Sequence, residues 1–274
     1  MTRRSWDCHT HVFGPYDQFP LDRDRNYTPP QATVAQLRAH LDALGLDQVV
    51  LVQPHSHGVD ARAMMAALTV LGDRGRAVTV VDPETITVDH LAALRDRGVR
   101  GVRVNAHTAG SPVSTPTLTR LTDALAAAGL HLQLFASGSI LAEVIPRLGP
   151  SVPVVVDHMG MALHDTDPHD AARIVEVLCD HGCWIKLSAP ERMGVQPDDP
   201  RVHWLVTEFA ERVPDRIVWG SDWPHSALSH SGPVEQTEPF RRVDDRARLD
   251  MLSEWLGTER CGAMLYDNAE ALYA

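Results

Sequence analysis

Short apolar runs alternate with amphipathic stretches along almost the whole chain. Runs such as Val49-Val50-Leu51-Val52, Ala77-Val78-Thr79-Val80-Val81 and Val154-Val155-Val156 are β-branched and apolar at successive positions, which predicts strands buried on both faces of a parallel sheet. The stretches between them carry helix start and stop signals. Helices are expected from Gln31 to Leu44 with Gly45 as stop, from Asp60 to Arg74 before Gly75, and from Asp89 to Arg97 before Gly98. Further helices are expected from Thr115-Pro116 to Gly129, Ile140 to Leu148, Ala171 to His181, Asp199-Pro200 to Arg212 and Arg246 to Leu256, with a short helical tail from Glu259 to Ala274. The first strand is Trp6 to Val12, and the others include Val99 to Asn105, Leu130 to Phe135, Trp184 to Ser188 and Ile217 to Asp222.

Eight strands alternating with eight helices predict an α/β fold, a (β/α)8 barrel that occupies the chain as a single domain, residues 1–274. The rival, an open doubly wound sheet, would normally place a glycine-rich phosphate turn after its first strand, and Asp7-Cys8-His9-Thr10-His11 is not one. The loop from Phe13 to Pro30 is long and lacks periodicity, which marks it as functional.

Composition narrows the partners. The 25 basic and 36 acidic side chains give a net charge of −11, which speaks against a nucleic-acid or anionic-membrane surface, so an anionic substrate would need a local arginine site. No apolar run approaches a membrane span, and the two arginines near the N-terminus are not followed by one, so a cytoplasmic protein is expected. The four cysteines form no Cys-x-x-Cys pair and are expected as free thiols.

In such a barrel chemistry sits where the strands end at their C-terminal side. Strand one offers His9 and His11, placed on one face by the period of two. Strand two offers Gln53, Ser56 and His57, and strand four Arg103 and Asn105. His158 follows strand six. Lys186, Ser188 and Arg192 belong to strand seven and its exit, and Asp222 and His225 to strand eight. Burying so many polar groups without partners would cost a few kcal/mol each, so a shared site is the better account of them. Each singly has a plainer role: Asn105, Lys186 and Ser188 can satisfy backbone groups, Arg103 can pair with a barrel acid, and His57 and His225 can face water.

The order His9-Thr10-His11, His158-Met159-Gly160 and Gly220-Ser221-Asp222-Trp223-Pro224-His225 resembles the amidohydrolase superfamily. Tyr27-Thr28-Pro29, Val52-Gln53-Pro54 and Gly101-Val102-Arg103-Val104-Asn105 are similar to the group around 2-pyrone-4,6-dicarboxylate lactonase. That resemblance implies hydrolysis of a carboxylated lactone in aromatic compound catabolism. Asp222 would be the general base, His9, His11 and His158 would polarise the carbonyl, and Arg103 and Arg192 would hold a carboxylate. Tyr27, Ser56, His57 and Asn105 would complete the substrate site.

Two departures qualify it. Metal-dependent members usually take a strand-five ligand, whereas here His131 is expected at the barrel bottom and Gln133 is a poor zinc ligand; no metal or other cofactor is expected, with zinc as the alternative. One arginine of the resembled lactonase is replaced by Ala109, which argues for a different or less acidic substrate. Three other readings stay open: a mononuclear zinc hydrolase or decarboxylase, a sugar-acid lactone isomerase, and a non-catalytic barrel scaffold.

Overall fold

In a computed structural model, described for residues 3–106, 115–228 and 232–274, the eight strands form one parallel sheet in sequence order. They are β1 Trp6–Thr10, β2 Gln48–Val52, β3 Gly75–Thr79, β4 Val99–Asn105, β5 His131–Phe135, β6 Val154–Val156, β7 Trp184–Leu187 and β8 Ile217–Trp219. The intervening helices are α1 Val34–Leu44, α2 Arg62–Leu71, α3 Val88–Asp96, α4 Thr115–Ala128, α5 Gly138–Val144, α6 Pro168–Asp180 and α7 Pro200–Arg212. α8 Asp245–Gly262 and α9 Asn268–Tyr273 complete the chain. The barrel closes just beyond β8: Asp222 N donates to His9 O at 2.9 Å, and His11 N donates to Trp223 O at 2.8 Å.

Alternation along the strands sorts the apolar side chains into two layers. Val50, Val52, Val78 and Val218 pack inside the barrel with Trp6 and Cys8, while their neighbours Val49, Leu51 and Ala77 face the helices. Tyr273 of α9 seals this interior, its ring stacked on Trp6 with centroids 6.1 Å apart. His131 lies at this bottom end as expected, edge-on to Tyr273. Gly101 makes room for it, since a Cβ there would fall 2.2 Å from the His131 ring.

Local chemistry explains the helix ends. Thr33 and Gln36 form a reciprocal capping box, so α1 begins later than its sequence pattern suggests. Asp167 caps α6 ahead of Pro168, three residues before the expected start at Ala171. Asp60 is not the cap of α2: that place belongs to Ala61, and Asp60 Oδ1 instead accepts from Arg62 N at 3.0 Å. Gly257, at φ 72° and ψ 165°, leaves the helical region, so α8 is kinked between Leu256 and Glu259, where the break is expected.

One irregularity shapes the site. Asp7 pairs with Val49 and Thr10 with Leu51, three residues of β1 against two of β2. This bulge lets Cys8 stay in the apolar interior while the next residue, His9, still reaches the polar cluster above it.

Candidate active site

The C-terminal strand ends bring His9, His11, His158 and Asp222 together. Asp222 Oδ1 lies 3.5 Å from His11 Nε2, 3.7 Å from His9 Nε2 and 4.0 Å from His158 Nε2, and all four side chains are buried. Backbone strain helps aim two of them. Asp222 at φ 64° and His158 at φ 52° occupy the left-handed region, a conformation that costs about 1–3 kcal/mol for such residues. Gly220 permits the close approach of β8 to β1, because a Cβ there would sit 2.5 Å from His9 Cβ.

Beneath this cluster is a second carboxylate that the sequence reading did not single out. Asp157 Oδ2 accepts from Arg103 Nε at 2.9 Å and from Gln133 Nε2 at 3.1 Å, and Oδ1 lies 3.2 Å from His9 Nδ1 and 3.6 Å from Lys186 Nζ. Arg103 thus does pair with a barrel acid, yet it also lines the open cleft. Arg192 behaves similarly: its Nε and Nη2 both reach Asp222 Oδ2, at 2.9 and 2.7 Å.

These contacts set the protonation states. Burial alone would raise both carboxyls. The cationic Arg103 and Lys186 beside Asp157, and Arg192 beside Asp222, instead hold them well below the usual carboxylate range. Burial lowers His9 to about 3 and puts His158 well below its ordinary value, so both rings are neutral. His11 Nδ1 faces Val52 O at 2.7 Å, and a carbonyl only accepts, so the proton is on Nδ1. A neutral His11 therefore turns a lone pair toward Asp222, and it can donate to a carbonyl oxygen only as an imidazolium.

The cleft above, about 410 Å³ including its open mouth, is lined by His11, Tyr27, His55, Arg103, Asn105, Phe135, His158, Arg192, Asp222 and Ser226, with Pro54 at its edge. Of the expected substrate-site residues, Tyr27, Arg103, Asn105 and Arg192 line this cleft. His55 was not foreseen; the 3-10 turn His55–His57 directs it to the cleft. Ser56 and His57 are buried and do not line it: Ser56 neighbours Tyr27, and His57 stacks on Phe13 at 6.1 Å. His225 pairs with Asp245 at 2.9 Å and faces a separate depression between α1 and the start of α8. Ala109 lies outside the described residues.

Could this set hold a metal ion? One ligand atom each from His9, His158 and Asp222 lies within 4.8 Å of the others, a spacing one cation could bridge. The surrounding charge opposes it. Among the described residues the three cations Arg103, Arg192 and Lys186 pair with the two carboxylates Asp157 and Asp222, leaving a net positive charge, and Arg192 already occupies one oxygen of Asp222. Gln133, on the strand that would supply a further ligand, is committed to Asp157 and Lys186. The donor set suits an anion better than a cation.

A parallel eight-stranded barrel with His-x-His on its first strand, a histidine after the sixth and an aspartate after the eighth defines an amidohydrolase-type site. The amidohydrolase family matches residues 6–274, and the chain belongs to that family. It is 34% identical to the 2-pyrone-4,6-dicarboxylate hydrolase of Comamonas testosteroni, over 97% of this chain and 89% of that protein. It is 32% identical to the 4-sulfomuconolactone hydrolase of Rhizobium radiobacter, over 92% of this chain and 83% of that one. Among solved structures, a probable 2-pyrone-4,6-dicarboxylic acid hydrolase from Acinetobacter baumannii with citric acid bound superposes with a TM-score of 0.82, at 26% identity, over 98% of this chain and 99% of that one.

Proposed function

We propose that this protein is a metal-independent hydrolase that opens the ring of a carboxylated lactone. The observation that carries this reading is Asp222 Oδ1, a buried carboxylate oxygen that makes no hydrogen bond among the described residues, ringed by three imidazoles at the floor of a cleft lined by Arg103 and Arg192. The names of the relatives support the substrate class.

The chemistry follows from the geometry. Asp222 Oδ1 accepts a proton from water, and the water oxygen adds to the ring carbonyl. His9, His158 and, when protonated, His11 stabilise the negative charge that forms on the carbonyl oxygen. Collapse breaks the bond to the ring oxygen, and the proton held by Asp222 passes to that leaving oxygen. The product is the opened acid. Arg103 and Arg192 hold a substrate carboxylate and align the ring, with Tyr27 and Asn105 beside them. Four buried, unpaired cysteines fit a reducing cytoplasm, and a carboxylated lactone fits catabolism of aromatic compounds.

A single zinc ion is the second reading, favoured by the spacing of His9, His158 and Asp222. Hydrolysis assays over a panel of mono- and dicarboxylated lactones, with product identification, test the proposal. Ring-opened acids are expected; an isomerised lactone or no turnover of any carboxylated lactone would overturn it.

A further inference from the structure

Lys186 is fully buried beneath the imidazole cluster; burial lowers its pKa, the Asp157 carboxylate beside it favours the ammonium, and a buried ammonium needs acceptors for its N–H groups. Three groups surround Nζ: Gln133 Oε1 at 2.8 Å, His9 Nδ1 at 3.3 Å and Asp157 Oδ1 at 3.6 Å. The orientation of Gln133 is fixed independently, because its Nε2 donates to Asp157 Oδ2 at 3.1 Å and so leaves Oε1 for the lysine. The open question is where His9 carries its proton.

Nδ1 of His9 stands between two claimants, Asp157 Oδ1 at 3.2 Å and Lys186 Nζ at 3.3 Å. A proton on Nδ1 would serve the carboxylate, but it would set an N–H against the ammonium and leave the lysine one acceptor short in a site without exposure. A lone pair on Nδ1 gives the lysine a second hydrogen-bond acceptor beside Gln133 Oε1, and Asp157 Oδ1 at 3.6 Å keeps the ammonium as its counter-charge. Angles agree with the second arrangement: Nζ and Nδ1 meet as a hydrogen bond, whereas Asp157 Oδ1 receives none.

We infer that Lys186 is a positioning residue that fixes His9 as its Nε2–H tautomer, making His9 a hydrogen-bond donor aimed at the reacting oxygen. Among the described residues His9 Nε2 makes no hydrogen bond, with Asp222 Oδ1 3.7 Å away, so its N–H is open to an acceptor that the substrate carbonyl would supply. The same tautomer has no lone pair on Nε2 with which to bind a cation. His11 is set oppositely by Val52 O, so two rings only two residues apart carry opposite tautomers. One donates toward the carbonyl, and the other, when neutral, accepts from water. The tautomer assignment rests on hydrogen-bond geometry alone; the catalytic use of it rests on the lactone reading.

Nitrogen-15 spectra of histidine-labelled wild-type protein, with His9 assigned through His9→Gln, test the inference without reference to turnover. Protonated Nε2 and unprotonated Nδ1 on His9 are expected, with the reverse on His11. A His9 protonated on Nδ1, or on both nitrogens, would overturn it. In Lys186→Met the His9 proton should move to Nδ1, and kcat should fall by about 10- to 100-fold at little-changed KM, the scale on which an outer partner tunes a site histidine. An unchanged His9 spectrum in that variant would equally sink the assignment. Should no lactone be hydrolysed, the function reading fails while the wild-type spectrum still decides the tautomer.

Discussion

Asp222 and Arg192 make opposing demands on one carboxylate. Both donor nitrogens of Arg192 rest on Oδ2, which keeps the base ionised but weakens it, while Oδ1 remains for water. Asp222→Asn keeps the shape and removes the proton acceptor, so turnover should fall about 100-fold or more in a folded protein. Near-wild-type turnover would remove Asp222 from the mechanism. Arg192→Met should act twice. Losing a charge-assisted contact should weaken binding of a carboxylated lactone by about 1.5–3 kcal/mol, with little effect on an uncharged one. Asp222 should also move up toward its ordinary pKa, so the acidic limb of the kcat/KM profile should shift to higher pH. An unmoved limb would show that Arg192 does not govern the base.

Much of this cluster was legible in the sequence, because His9, His11, His158 and Asp222 each end an apolar run where polar groups need a shared reason to be buried. Asp157 was not. An alternating strand offers one of two successive residues to the interior, and the left-handed backbone of His158 breaks that alternation, so both side chains enter the site. His55 was missed for a related reason: the turn after β2 is 3-10, with three residues per turn, so a period of two could not sort His55 from His57.

Among the elements, the seam between β1 and the end of β8 does most to set the geometry. Gly220→Ala would drive a Cβ to 2.5 Å from His9 Cβ and 2.9 Å from His9 N. The seam must then open, at about 1–3 kcal/mol by analogy with overpacked cores, and turnover should fall with it. Melting temperature and kcat both check this, and a variant equal to wild type in both would contradict it. Asp7 clamps the same seam: its Oδ1 accepts from His9 N at 3.1 Å and from Ser221 N at 3.0 Å. Burial pushes its carboxyl up to about 7. Because the folded value lies above the unfolded one, the stabilisation is complete below about pH 4 and is lost as pH rises through about 7, up to roughly 4 kcal/mol by linkage. Asp7→Asn cannot ionise, so its melting temperature should gain on wild type between pH 5 and 8. A constant difference would show that Asp7 titrates normally. The bulge in β1 that accompanies this clamp leaves no mark in an apolar-polar pattern, which is why the strand was readable but its register was not.

At the scale of the molecule, alternating pattern predicted the barrel because each apolar run is buried on both faces and each helix covers one strand crossing. The chain as a whole is strongly acidic, yet the C-terminal end of the barrel concentrates Arg103 and Arg192 at the cleft and Lys186 beneath it. That local excess of positive charge is what the overall charge made necessary for an anionic substrate, and it is the physical ground for expecting chemistry without a cation. No described helix is long and apolar enough to cross a membrane. The most direct measurement is hydrolysis of a carboxylated lactone by protein stripped with a chelator, with metal content determined on the same sample. The account predicts undiminished ring opening at far less than one metal ion per chain. Loss of turnover on stripping, restored by stoichiometric zinc, would contradict it.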